Sequence, residues 1–173
     1  MKIKIKSATL LFLMLCVSTA CNDSDDVMDI FTNKTWKLNT IFYQGKPDYS
    51  YWMDATGKLD KNALDESVKK KGEKGFVVTF DGARVGSVVS GTFSGQGYNS
   101  KFRGKWSADE DNRRMVITEY QVEGSDSDVL AKAFINGMKN VFSYRGNSDT
   151  NNLHLNFKEG ELTKYMSFTI LRE

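Results

Sequence analysis

The feature that most constrains this chain is a period-two alternation of apolar and polar residues that returns segment after segment. Phe102, Gly104 and Trp106 alternate with Lys101, Arg103 and Lys105. Leu153, Leu155 and Phe157 alternate with His154, Asn156 and Lys158, and Met166, Phe168 and Ile170 with Tyr165, Ser167 and Thr169. Successive side chains of a strand point to opposite faces, so this pattern puts one face on a core and the other in water, as in a half-buried antiparallel sheet. Further strands are predicted at 35–43, 76–81, 85–94, 113–122 and 140–145. Turn formers separate the segments: Asp81-Gly82, Ser94-Gly95-Gln96-Gly97, Ala108 to Asn112, Gly146 to Asp149, and Glu159-Gly160. The short gaps imply hairpins between sequence neighbours. The expected fold is mainly β, a single antiparallel β-barrel or strongly curled sheet of about eight strands.

Two segments break the pattern and read as helices. After the capping residues Asp126-Ser127-Asp128, the residues Val129, Leu130, Ala133, Phe134, Met138 and Val141 fall on one stripe at helical spacing. This helix is expected to plug or cover one end of the barrel. The second spans about Asp60 to Lys71, with Ala63, Leu64 and Val68 on one side and Gly72 as the stop.

The start of the chain has a different logic. Lys2, Lys4 and Lys6 precede an uncharged apolar run from Ala8 to Val17, followed by Ser18-Thr19-Ala20 and then Cys21. A basic end, an apolar stretch of roughly 7–15 residues and small residues at a cleavage point describe a secretory signal peptide. The run is shorter than the ~20 residues a spanning helix needs. The small residues followed by Cys21 resemble the lipobox of bacterial lipoproteins, which implies that Cys21 carries lipid and anchors the chain to a membrane. Asn22-Asp23-Ser24-Asp25-Asp26 resembles the acidic export tag of Bacteroidetes lipoproteins placed at the cell surface, and such a tract also makes a solvated tether. The organisation expected is therefore a signal peptide over 1–20, a lipidated acidic tether over 21–30 and a β-barrel-like domain over 31–173.

Composition then excludes several chemistries. The leader holds three of the 24 basic residues and none of the 22 acidic ones, so the rest of the chain is slightly acidic and offers no basic face for nucleic acid. Of the two cysteines, Cys16 lies in the leader and Cys21 is the lipid site, which leaves no thiol for catalysis, a disulfide or a Cys-based metal site. With His154 as the single histidine, a serine-hydrolase triad of the usual kind and a multi-His zinc site are both hard to build. His154 itself is expected on the polar face of its strand.

Three other features bear on function. Glu119 continues the register of Met115 and Ile117, so it turns inward unless the strand has already reached the barrel rim; the rim is the expected placement. The glycines between Ser90 and Gly97 lack the Lys-Ser/Thr and the following helix of a phosphate loop and fit a curling strand with its turn. The segment Pro47 to Asp54 crowds Tyr49, Tyr51 and Trp52 beside two carboxylates, a set that suits sugar stacking or an apolar ligand at a barrel mouth, and equally a lid over the core.

Asn33 to Leu38, with Trp36, resembles the first strand of lipocalin-like domains in Bacteroidetes lipoproteins, where a Trp enters the barrel floor. Gly91 to Phe93 through Trp106 to Ala108 resembles their central hairpins, and Tyr144 to Gly146 through Phe168 to Leu171 their closing strands. A META/HslJ-like domain is the alternative resemblance. Both imply a fold and little function. The expected role is an envelope-anchored, surface-exposed, non-enzymatic module that binds a small apolar or glycan-like ligand through Tyr49, Tyr51 and Trp52, with no catalytic residue, metal or cofactor. The alternative is a filled barrel acting on an envelope partner, with no small-molecule ligand.

Overall fold

The computed structural model describes residues 26–149 and 151–172. The alternating segments form β1 (Thr35–Tyr43), β2 (Lys46–Pro47), β3 (Val77–Val85), β4 (Val88–Gln96), β5 (Lys101–Asp109), β6 (Arg114–Glu123), β7 (Val141–Asn147), β8 (Asn152–Glu159) and β9 (Leu162–Ile170). β2 is a two-residue strand that folds back antiparallel on the end of β1. The other eight run antiparallel in the order β1, β3, β4, β5, β6, β7, β8, β9, and β9 pairs back onto β1, which closes the barrel. Closure removes the free strand edges that an open sheet would present.

Three α-helices, α1 (Val27–Phe31), α2 (Lys61–Glu73) and α3 (Val129–Lys139), and one 3-10 turn (Ser50–Trp52) complete the described residues. Asp60 and Asp128 cap α2 and α3, each accepting a hydrogen bond from the third residue of its helix. α3 sits at the weakest seam of the barrel. β6 and β7 pair at Arg114 and Ser143, and beyond that the ladder gives way to the helix, whose Ile135 carbonyl accepts a bond of 2.7 Å from the Tyr120 hydroxyl.

The barrel is filled with aromatic rings. At the end that holds α1, Phe31 packs 5.0 Å from Phe80, 4.9 Å from Trp106 and 5.1 Å from Tyr144. At the other end Phe134 of α3 packs 6.2 Å from Phe76, 5.3 Å from Phe102 and 6.1 Å from Phe168. Phe93 joins the two layers through Phe80 and Phe102. Trp36 is fully buried in the same core. Eight strands leave an interior just wide enough for side chains, and here two helices add theirs.

The structure changes several local expectations. Asp81-Gly82 is not a turn: β3 runs on to Val85, and the chain reverses at Gly86-Ser87, with Gly86 at φ 64°. That is the left-handed region glycine enters freely at a tight hairpin. Gly82 and Gly91 are instead directly opposed inside the sheet. A Cβ on Gly91 would stand 1.9 Å from the Asp81 carbonyl oxygen, so the curl of these strands requires glycine there. α2 passes through Gly72 and ends at Glu73, and Val68 faces solvent while Ser67 takes the buried place. On α3 the stripe is shorter than expected, because Val129 is exposed and Val141 already begins β7. Val27 and Ile30, in the stretch read as tether, are fully buried in α1, so residues 26–30 are part of the fold. The leader, Cys21 and residues 22–25 lie outside the described residues.

Candidate functional site

Two places gather polar chemistry, the barrel mouth and the outer face of β3–β6.

At the mouth, β9 carries Lys164, Met166 and Phe168 inward on alternate positions. Lys164 is only 4% exposed. Its ammonium lies 2.7 Å from Asp48, which is itself buried, and pairs also with the half-exposed Glu159. It donates to the Tyr51 hydroxyl at 3.2 Å and stands 4.4 Å from the centre of the Tyr51 ring. Burial by itself would push the ammonium toward neutrality, but Asp48, Glu159 and Tyr51 outweigh it and hold the pKa above 10.5. For Asp48 burial likewise opposes ionisation, and the bonds from Lys164 and Ser50 still hold its carboxyl below 3.8. A lysine held charged is an anchor for carboxylates and not a nucleophile at neutral pH.

The predicted aromatic loop covers this pair. It forms a single 3-10 turn, Ser50–Trp52. Trp52 is buried, and its indole donates to the Ser67 hydroxyl at 2.9 Å, which in turn donates to Asp128 at 2.7 Å. One relay thus ties the loop to α2 and to the cap of α3. Tyr51 packs edge-on against Trp52 at 6.1 Å and turns its hydroxyl to Lys164. Tyr49 is 46% exposed, the one ring of the three with an open face. The three residues are neighbours at the mouth, as expected, but two of them point into the fold. Lys164 and Asp48 were missed, although stepping back two residues from Met166 in the alternation already turns Lys164 inward.

These groups set a pH dependence. Burial is the main reason the Tyr51 hydroxyl is pushed up to about 12, and burial does the same for Tyr144. Their folded pKa values exceed the unfolded 10.0, so their contribution is complete below pH 10 and lost as pH rises toward 12. Lys164 acts in the same direction above 10.5. Asp48 has the opposite sign: its contribution is present above 3.8 and lost as pH falls through the lower folded value. Thermal unfolding followed by circular dichroism across pH should therefore show falling melting temperatures above pH 10 and below 3.8. A melting temperature that stays level through the alkaline window would contradict the buried mouth.

Glu119 is exposed and paired with Lys105 at 2.6 Å. It lies in the middle of β6 and not at the rim. A β-bulge there, with Glu119 at φ 51°, shifts the register and lets Tyr120 take the half-buried inner place. His154 is less exposed than expected: its ring lies 5.0 Å from that of Tyr165, and burial followed by the charge of Arg145 lowers its pKa below 6.5. Among the described residues no group of three His, Cys, Asp or Glu is placed to hold a metal ion.

The outer face of β3–β6 forms a groove of about 310 Å³. Register aligns Thr79, Ser94, Arg103 and Gln121 in one row across four strands, with Gln96, Lys101 and Glu123 in the row above. The row below brings Asp81, Thr92 and Lys105 beside Glu119. Arg103 bonds Gln121 at 3.2 Å and Glu123 at 3.3 Å, and both partners of the latter pair are about two-thirds exposed. Exposed pairs of this kind contribute little to stability and exchange readily for other partners.

No curated protein matches the chain. One family model, described as a domain of unknown function (DUF4847), matches residues 22–170.

Proposed function

The chain belongs to the DUF4847 family, whose description states no activity, and we propose from the geometry that it is an envelope-anchored, non-enzymatic binding module acting through its outer face. The observation that carries this reading is the contrast between a filled interior and an open groove on β3–β6 whose lining includes Thr79, Ser94, Arg103, Gln121 and Glu123 beside Val77 and Phe102. An apolar ligand would need space that Phe31, Trp36, Trp106 and Phe134 occupy. The groove instead offers hydroxyls, amides, a guanidinium and carboxylates on a rigid sheet, the donors and acceptors that a glycan-like ligand requires. The anchor is lipid on Cys21 after removal of residues 1–20, and the family match begins at residue 22, directly after that point. The outer-membrane, surface-exposed location rests on the resemblance of the tract 22–26 to the acidic export tag of such lipoproteins.

The test is an NMR titration with oligosaccharides released from envelope lipopolysaccharide and from peptidoglycan. Amide shifts confined to Ser94, Arg103 and Gln121 are expected. Arg103→Ala should weaken binding about tenfold or more, the value of a hydrogen bond to a charged group. Shifts at Tyr49 and the mouth would return the site to the aromatic loop. No shift at any position would leave the filled barrel as a partner for envelope proteins.

A further inference from the structure

The β3–β4 hairpin ends in Val85-Gly86-Ser87-Val88, and its two valines are 78% and 37% exposed. A β-branched apolar pair at the tip of a hairpin has no core to serve. Its position gives it a use. Arg84, the residue before the tip, pairs with Asp26 and, at 2.6 Å, with Glu110. The Ser87 carbonyl accepts from the Glu110 amide at 3.1 Å, so the β3–β4 tip and the β5–β6 turn abut. Asp26 is the first described residue, and it is fixed in place because α1 is buried immediately after it. Asp26 and the start of α1 therefore lie beside this tip. Register places the mouth at the opposite end: Thr35 at the start of β1 pairs with Thr79 of β3, while Tyr43 at its other end pairs with Lys164.

From Cys21 to Asp26 an extended chain reaches at most about 18 Å, at up to ~3.6 Å per residue. Lipid on Cys21 would thus hold the Val85–Val88 end of the barrel against the bilayer. We propose that this hairpin tip is a membrane-docking element, its valines seated in the interfacial region of the lipid layer, so that the barrel stands upright with its mouth and the upper rows of the β3–β6 groove facing away. The occupant is the lipid surface itself. Arg84 is neutralised by Asp26 and Glu110, so the contact is apolar and not a headgroup charge contact.

The inference rests on the lipid reading of Cys21, and the experiment separates the two. The full chain, recovered from its host membranes, is placed in vesicles of phosphatidylethanolamine and phosphatidylglycerol. A nitroxide is attached at Ser87→Cys and, in a second sample, at Glu161→Cys at the far end. The parent chain tests the anchor, because a lipid-bearing Cys21 has no free thiol and takes no label. The Ser87 nitroxide should be shielded from a water-soluble nickel chelate and accessible to oxygen, whereas the Glu161 nitroxide collides freely with the chelate. Adding Val85→Asp and Val88→Asp, at positions that hold no core contact, should abolish the shielding. Equal collision rates at the two sites with an unlabelled parent would overturn the docking alone. A parent labelled at Cys21 would overturn the anchor and the docking with it.

Discussion

Lys164→Met is expected to lower the unfolding free energy by about 3–5 kcal/mol, the range for removing one partner of a buried ion pair. The substitution keeps much of the side-chain volume, so the loss reports charge more than packing. Asp48 is left as a carboxylate beneath the Tyr51–Trp52 turn, with its Ser50 amide bond but without its cation. Glu159 is 40% exposed in its side chain and turns to water at little loss. Combining Lys164→Met with Asp48→Asn should then recover the larger part, since an apolar and neutral replacement of a buried pair is often close to neutral. Urea unfolding of the parent, the two single variants and the double variant forms a complete cycle. A single Lys164→Met loss below about 1 kcal/mol would place the pair among ordinary surface bridges and refute the closed mouth.

Trp106→Ala is expected to lose about 3–5 kcal/mol, the range for truncating a large buried aromatic residue. Trp106 is 2% exposed and lies at the centre of the lower aromatic layer, against Phe31 and Phe80. A Cβ on Gly82 would stand only 3.0 Å from its ring edge, so the indole packs closely against backbone that glycine leaves bare. The indole N–H also donates to the Asp81 and Thr92 carbonyls at 3.0 and 3.1 Å. Trp106→Phe should lose less, because the ring contacts with Phe31 remain in part. The difference between the two variants measures the removed volume, and the residual loss in Trp106→Phe includes the two hydrogen bonds. If Trp106→Ala unfolds at nearly the same urea concentration as the parent, the layer formed by α1 and β5 does not hold the barrel together.

The legible part of this protein is the part governed by neighbours in the chain. Alternation along 101–106, 153–157 and 165–170 names which side chains turn inward, because strand geometry enforces it without reference to distant residues. Asp128 marks the start of α3 for an equally local reason, its carboxylate reaching the Ala131 amide at 3.0 Å. The closing pair of strands, the bulge at Glu119 and the partnership of Asp48 with Lys164 are different in kind. Asp48 and Lys164 are far apart in sequence, and a buried charge becomes tolerable only when the fold brings its counter-charge within 2.7 Å. Likewise Asp81-Gly82 looks like a turn locally, and only the Trp106 ring packed over it and the continuing ladder to β4 decide that it is strand. Local side-chain periodicity determined the strands and the barrel class. The contents of the barrel, the closed mouth and the outer groove were decided by tertiary structure, because each depends on which distant side chains fill or neutralise one another's space.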